Sequence, residues 1–243
     1  MKTKLIFILI SSLVLFVSCK KTATDEPIEK TTEQSGNVIL CNDDKDLDNH
    51  AGVKVSIEGS DLSTITDSSG NWTLKGVKAS KQTIVFEKDG FGTYKQEITP
   101  SLDHSNYMSS FKLPEIPQFS IKNLTVSFST GGTIKITGEA TSHPQLIYYQ
   151  RKVVFIGKTN LISGEPTTWV NYTSGLFENT FSFSMSINND FYQKGFPSGS
   201  TVYFVSYGTA GRGNYYYNDV ATNKTVIGCL SESPSNIVSI QLP

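Results

Sequence analysis

Short runs in which every second residue is apolar recur along this chain, and turn residues interrupt them roughly every eight to twelve positions. Successive side chains of a strand point to opposite sides, so such a run makes a pleated strand with one buried face. Gly52-Val53-Lys54-Val55-Ser56-Ile57-Glu58-Gly59 puts Val53, Val55 and Ile57 on one face. Thr66 to Leu74 reads as a hairpin: Asp67 can accept from backbone amides ahead of it, Gly70 can take a positive φ, and Trp72 and Leu74 return to the core. Ile84 and Phe86 form another alternating strand, Asp89-Gly90 a turn, and Phe91 a plug at the sandwich end. Further on, residues 132–138, 146–156, 179–187, 200–207 and 236–242 carry apolar or aromatic residues at alternate places. No long helical periodicity follows the N-terminus. With 11% aromatic and 18% charged residues, the composition suits half-buried pleated surfaces, and the fold class is all-β.

The N-terminus follows different rules. Lys2 and Lys4 precede an apolar run from Leu5 to Val17, interrupted only by Ser11 and Ser12, and then come Ser18 and Cys19. This is the pattern of a signal peptide. As a helix the run would cover only ~20 Å of a hydrocarbon core ~30 Å thick, too little for a permanent span. Leu15-Phe16-Val17-Ser18-Cys19 resembles the lipobox of bacterial lipoproteins, with Phe16 where the family more often has Leu. The resemblance implies cleavage before Cys19, a diacylglyceryl group on its thiol and acylation, palmitate included, of the new amino terminus. Several acyl chains at ~0.8 kcal/mol per buried CH2 hold far better than one. Residues 1–18 are thus expected to be removed and Cys19 to anchor the chain in the cell envelope, at the outer membrane, with the face left open.

Lys20 to Ser35 has almost nothing to bury, so 19–35 is expected to be the lipidated Cys and a flexible tether, with ~22 Å of typical reach. Two β-sandwiches should follow in tandem, at 36–113 and 118–243. Between them Pro114-Glu115-Ile116-Pro117 lacks two backbone donors in four residues and reads as a semi-rigid linker.

In the first unit, Gly52-Val53, Thr66-Asp67, Gly70-Asn71-Trp72, Leu74, Gly76-Val77 and Lys88-Asp89-Gly90-Phe91 resemble the carboxypeptidase regulatory-like domain. The resemblance implies a seven-stranded, transthyretin-like sandwich without peptidase chemistry, a structural or interaction module. Asp43-Asp44-Lys45-Asp46-Leu47-Asp48-Asn49 has carboxylates at alternate positions, as calcium loops do. Counted from Asp44, however, the sixth position is Asn49 instead of Gly and the twelfth is Val55 instead of Glu. It is read as a solvated acidic loop.

In the second unit, Phe196-Pro197-Ser198-Gly199 leading into Ser200 to Tyr207, followed by Gly211 and Gly213-Asn214-Tyr215-Tyr216-Tyr217, resembles bacterial fibronectin type III-like domains. The resemblance gives Tyr203 the part of the tyrosine whose hydroxyl ties down a corner. The Trp usual in an early strand is missing, since Trp169 comes too late. An immunoglobulin-like sandwich of another family stays open.

Catalytic signatures are lacking. His50, His104 and His143 stand alone, and the Gly-rich stretch from Gly208 to Gly213 leads into three tyrosines, as a hairpin does. No cofactor and no metal is expected, and the chain is not read as an enzyme. Without Lys2 and Lys4, 19 basic residues face 22 acidic ones, a net charge of −3 that offers nucleic acid no basic face. The Asn-x-Thr triplets at Asn71, Asn123, Asn171 and Asn223 are read as chance in a Thr-rich chain. Cys41 and Cys229, in different units, are expected to stay unpaired and to behave as small hydrophobes.

Two functions compete. One is a membrane-anchored, non-catalytic spacer and protein-interaction module of the envelope. The other is a polysaccharide-binding lipoprotein whose ligand site includes some of Trp169, Tyr172, Tyr215, Tyr216 and Tyr217. Three consecutive tyrosines in a strand cannot all enter one core, so at least one ring, Tyr216 or the pair flanking it, should be exposed. A coplanar exposed pair would favour the glycan, and buried rings the spacer.

Overall fold

The computed structural model describes residues 30–141, 150–162, 169–175 and 180–243, with the backbone alone at 150 and 169–175. The expected signal peptide, Cys19 and the tether as far as 29 lie outside the described residues. The chain is all-β, as the alternation requires. Helical structure among the described residues is limited to a π turn at Ile187–Phe191 and a 3-10 turn at Tyr192–Lys194.

The first sandwich contains β1 (Thr31–Cys41), β2 (Lys54–Ile57), β3 (Ser63–Ile65), β4 (Asn71–Lys78), β5 (Gln82–Glu87), β6 (Tyr94–Ile98) and β7 (Asn106–Pro114). One sheet has the order β4-β1-β7 and the other β3-β2-β5-β6. β1 runs antiparallel to β4 and parallel to β7. The alternating residues read from the sequence meet between the sheets: Val53, Val55, Ile57, Trp72, Leu74 and Phe86 are all buried there with Val38 and Leu40. Trp72 and Phe86 meet edge to face at 5.6 Å.

The Asp67 turn forms as its residues dictate. Asp67 Oδ1 accepts the amides of Ser69 and Asn71, both at 2.9 Å, and Gly70 adopts φ 82°. The Gly70 carbonyl then accepts from the Val38 amide of β1 at 2.9 Å. A Cβ on Gly70 would stand 1.9 Å from the Val38 carbonyl oxygen, so only glycine fits this contact.

Two boundaries differ from the expected ones. β1 begins at Thr31, although Thr31 to Ser35 has little apolar surface. Its backbone pairs with β4 from Thr31 and with β7 from Gln34, and a strand between two others receives hydrogen bonds whatever its side chains are. The 114–117 segment, read as a joint, is bonded into the first sandwich. Glu115 N donates to Cys41 O at 2.8 Å and Ile116 N to Gly90 O at 2.9 Å. Proline removes only its own donor, and the amides between the two prolines still find partners.

The second sandwich contains β8 (Ile121–Ser129), β9 (Thr133–Ala140), β10 (Gln150–Gly157), β11 (Trp169–Gly175), β12 (Thr180–Ser186), β13 (Thr201–Thr209) and β16 (Val238–Gln241), with a hairpin of β14 (Tyr216–Asp219) and β15 (Lys224–Ile227) inserted before the last strand. Its sheets have the orders β12-β9-β8 and β11-β10-β13-β16. Between them lie Ile134, Ile136, Val154, Ile156, Phe191 and Phe204.

β10 is buried on both faces. Val154 and Ile156 enter the main core, while Val153 and Phe155 point the other way into a smaller cluster with Val205, Tyr207 and Ile227. The segment from Ala210 to Ile237, which includes the β14–β15 hairpin, covers that outer face. Its turn carries Asn223 at φ 51°, and Asp219 Oδ1 accepts both the amide and the hydroxyl of Thr222 at 2.8 Å.

Candidate functional site

Cys19 lies outside the described residues. The five aromatic candidates fall on two elements. Trp169 and Tyr172 are on β11, opposite Ile156 and Val153 of β10. Tyr215 precedes β14, and Tyr216 and Tyr217 begin it. Tyr216 is 48% exposed, whereas Tyr215 packs against the smaller core and the Arg151 guanidinium lies 4.3 Å from its ring centroid. Tyr215 and Tyr216 meet at 66° with centroids 5.1 Å apart, so they form no flat pair. Tyr217 turns toward the first sandwich, with Lys95 Nζ 6.0 Å from its ring centre.

Tyr203 is half-buried on β13, and among the described residues its hydroxyl makes no hydrogen bond of the kind expected for a corner. Another tyrosine does such tying. The Tyr192 hydroxyl donates to the Pro243 carbonyl at 2.9 Å, and Ser198 Oγ donates to the same oxygen at 2.5 Å. The π and 3-10 turns between β12 and β13 bring Tyr192 to the chain end, a placement that strand periodicity does not encode.

The residues that converge most closely are at the seam between the sandwiches, where sequence reasoning expected only a linker. Three contacts form it. First, Thr93 N donates to Gly228 O at 2.7 Å beside β6, and neither backbone leaves space there. A Cβ on Gly228 would lie 1.9 Å from the Thr93 oxygen, and one on Gly92 would lie 2.7 Å from Cys229 Cβ. Second, Asn214 N donates to Lys112 O of β7 at 2.8 Å, with Gly213 against Cys41 and Pro114. The Asn214 side-chain oxygen also accepts from the Lys112 amide at 3.3 Å, and near it the Tyr94 hydroxyl is raised above its ordinary pKa chiefly by burial.

Third, the acidic loop after β1 meets the segment after β13. Asp43 Oδ1 accepts the Gly211 amide at 2.8 Å, and Arg212 donates to the Asp44 carbonyl. Asp46 accepts from Lys112 at 2.7 and 2.8 Å and lies 3.4 Å from Arg212. The Lys112 hydrogen bond holds the Asp46 carboxyl below its usual range. Of the loop's carboxylates, those of Asp43 and Asp46 thus face the second sandwich. Among the described residues no three His, Cys, Asp or Glu side chains are grouped to hold a metal ion.

Both cysteines are buried at this seam as free thiols. Cys229 Sγ lies 3.3 Å from the Glu115 carbonyl oxygen, and burial pushes its thiol up to about 12. Cys41 is pushed up to about 11, by burial first and then by Asp46. The thiolate is the form that attacks disulfides, so both should react slowly. Alkylation of the native protein at pH 8 should leave both unlabelled on a timescale at which denatured chain labels fully. A linked peptide pair in a non-reduced digest would contradict this.

Among the described residues, open clefts lie beside the seam and at the opposite pole. One of about 480 Å³ is lined by Glu115 to Ser120 and Ser231 to Ser233. The other, about 1190 Å³, lies between the β2–β3 and β4–β5 turns and is lined by Glu58, Asp61, Lys78 and Lys81 among others.

Residues 34–116 match the family model described as the CarboxypepD_reg-like domain, the span that β1 to β7 occupies. No curated protein matches the chain. Among solved structures, a DUF3823 family protein from Parabacteroides merdae is 11% identical, with a TM-score of 0.35 over 88% of this chain and 100% of that one. A Bacteroides uniformis protein provisionally described as carbohydrate binding is 16% identical, with a TM-score of 0.34 over 86% of this chain and 99% of that one. BcpA, the major pilin subunit of Bacillus cereus, is 10% identical, with a TM-score of 0.31 over 87% of this chain and 70% of that one. Likeness at these scores says nothing of what this chain binds.

Proposed function

We propose that this chain is a lipid-anchored, non-catalytic protein of the bacterial cell envelope, held at the outer membrane through Cys19, whose two sandwiches act as a spacer and present a surface to other envelope proteins. The observation that carries the reading is the course of β1. The chain ahead of it joins at Thr31, and the second sandwich meets it through Gly213 at Cys41, the last of its eleven residues. At ~3.3 Å per residue the anchor side and the distal sandwich stand ~33 Å apart across one continuous strand. The CarboxypepD_reg-like match supports a module without chemistry of its own, and the lipobox-like stretch before Lys20 supports the anchor. The paired three- and four-stranded sheets support a fibronectin type III-like reading of the second sandwich, enlarged by the 210–237 insertion.

The exposed ring of Tyr216 speaks for the glycan reading, but its edge-on neighbour gives a sugar no flat platform. Fractionation of cells followed by protease shaving tests the proposal. The protein should be recovered with the membranes, and protease should cut ahead of Thr31 and release an intact two-sandwich body. Recovery in the soluble fraction of unbroken, untreated cultures would overturn the anchor, and retention on immobilised polysaccharide that Tyr216→Ala abolishes would replace the spacer with a glycan-binding role.

A further inference from the structure

We infer that residues 210–237 form a strap that fastens the two sandwiches into one cooperative body, so that the first sandwich of this chain is completed by the second. The strap has two faces. One closes the outer core of its own sandwich through Tyr215, Ile227 and Leu230. The other reaches the first sandwich at β6 through Gly228, at β7 through Asn214 and at the acidic loop through Arg212. These contacts come from three separate elements of the first sandwich, which fixes position and angle together.

The glycines give the strap its grip. Gly92 and Gly228 leave no room for a Cβ, the closest approach being 1.9 Å, and one on Gly213 would press on the Lys112 carbonyl oxygen at 3.0 Å, so backbone lies close on backbone across the seam. Interiors packed this closely do not slide. A hinged pair would keep side chains and water between the units, and intra-chain interfaces that move are mostly polar and loosely packed. Here Cys41, Cys229 and Pro114 are buried between them. The strap also lies against the start of β6, where Thr93 N donates to Gly228 O and Lys95 Nζ approaches the Tyr217 ring. This inference concerns the folded body alone and holds whether or not Cys19 carries lipid.

Hydrogen exchange of the whole mature chain in increasing urea tests it. Peptides from β2 and β5 and peptides from β9 and β12 should lose protection at one shared midpoint. The steepness should be that of a ~200-residue unit, about twice that of a ~100-residue one, because the urea dependence follows the surface exposed on unfolding. Gly228→Val should separate the two midpoints. If that variant does not fold, the double variant Arg212→Ala and Asn214→Ala, which removes hydrogen bonds without adding bulk, should separate them instead. Two midpoints in the unaltered protein would overturn the strap. So would a double variant whose shared midpoint does not move.

Discussion

Alanine at Gly70 should cost the first sandwich most of its stability and, through the seam, carry the second with it. The residue sits at φ 82°, where a Cβ costs ~1 to 2 kcal/mol, and the added carbon would lie 1.9 Å from the Val38 oxygen. The Val38–Gly70 hydrogen bond that fixes β1 beside the Asp67 turn must then break as well. Together these place the loss at about 3 kcal/mol or more, a fall of roughly 6 to 12 °C in melting temperature for a body of this size. Gly59→Ala is the control. It has a positive φ of 73° but open space around it, so it should lose only the backbone part. Equal effects at the two glycines would show that the close approach to β1 contributes nothing.

The second large effect belongs to Cys19→Ala. The thiol is the atom that would be acylated, and no helix among the described residues is long and apolar enough to cross a membrane. Without the thiol, the precursor should keep its apolar leader, and acylated, membrane-bound mature protein should fall to the background. Mass spectrometry of the N-terminal peptide distinguishes the outcomes. A variant that is cleaved at the same bond and remains with the membrane would refute the lipid anchor.

The first sandwich was legible because its core obeys a period of two. Val53, Val55, Ile57, Trp72, Leu74 and Phe86 were all read as inward and all are buried. The reading failed where the backbone departs from that period. β8 was missed because Asn123, at φ 52°, shifts the register between Lys122 and Thr125, so that the buried residues are Ile121 and Leu124, three apart. The first five residues of β1 were missed for a different reason: Thr31 to Ser35 offers no apolar alternation and is held by backbone pairing and by polar side-chain contacts such as that of Asn106 with Thr32, which composition does not record. In the tyrosine cluster, alternation left either Tyr216 or the pair flanking it exposed, and the ring outside is Tyr216; Tyr94 and Arg151 lie far off in sequence and had no signal there. The seam was invisible for a related reason. Asp43, Asp46, Arg212 and Gly228 are each ordinary in sequence, and only the fold sets them against one another.

The position of β1 also decides how this protein answers to force. Any pull on the chain ahead of Thr31 enters at the end of a strand that lies between two others, and it acts along the strand axis. The hydrogen bonds to β4 and β7 then carry the load side by side and must shear together; they cannot open one after another from a free end. Resistance to forced unfolding depends on the barrier and not on equilibrium stability. At its far end the same strand passes the load on, through Cys41 and Glu115, to the seam. A pull ahead of Thr31 is therefore met by backbone hydrogen bonds on both sides of β1.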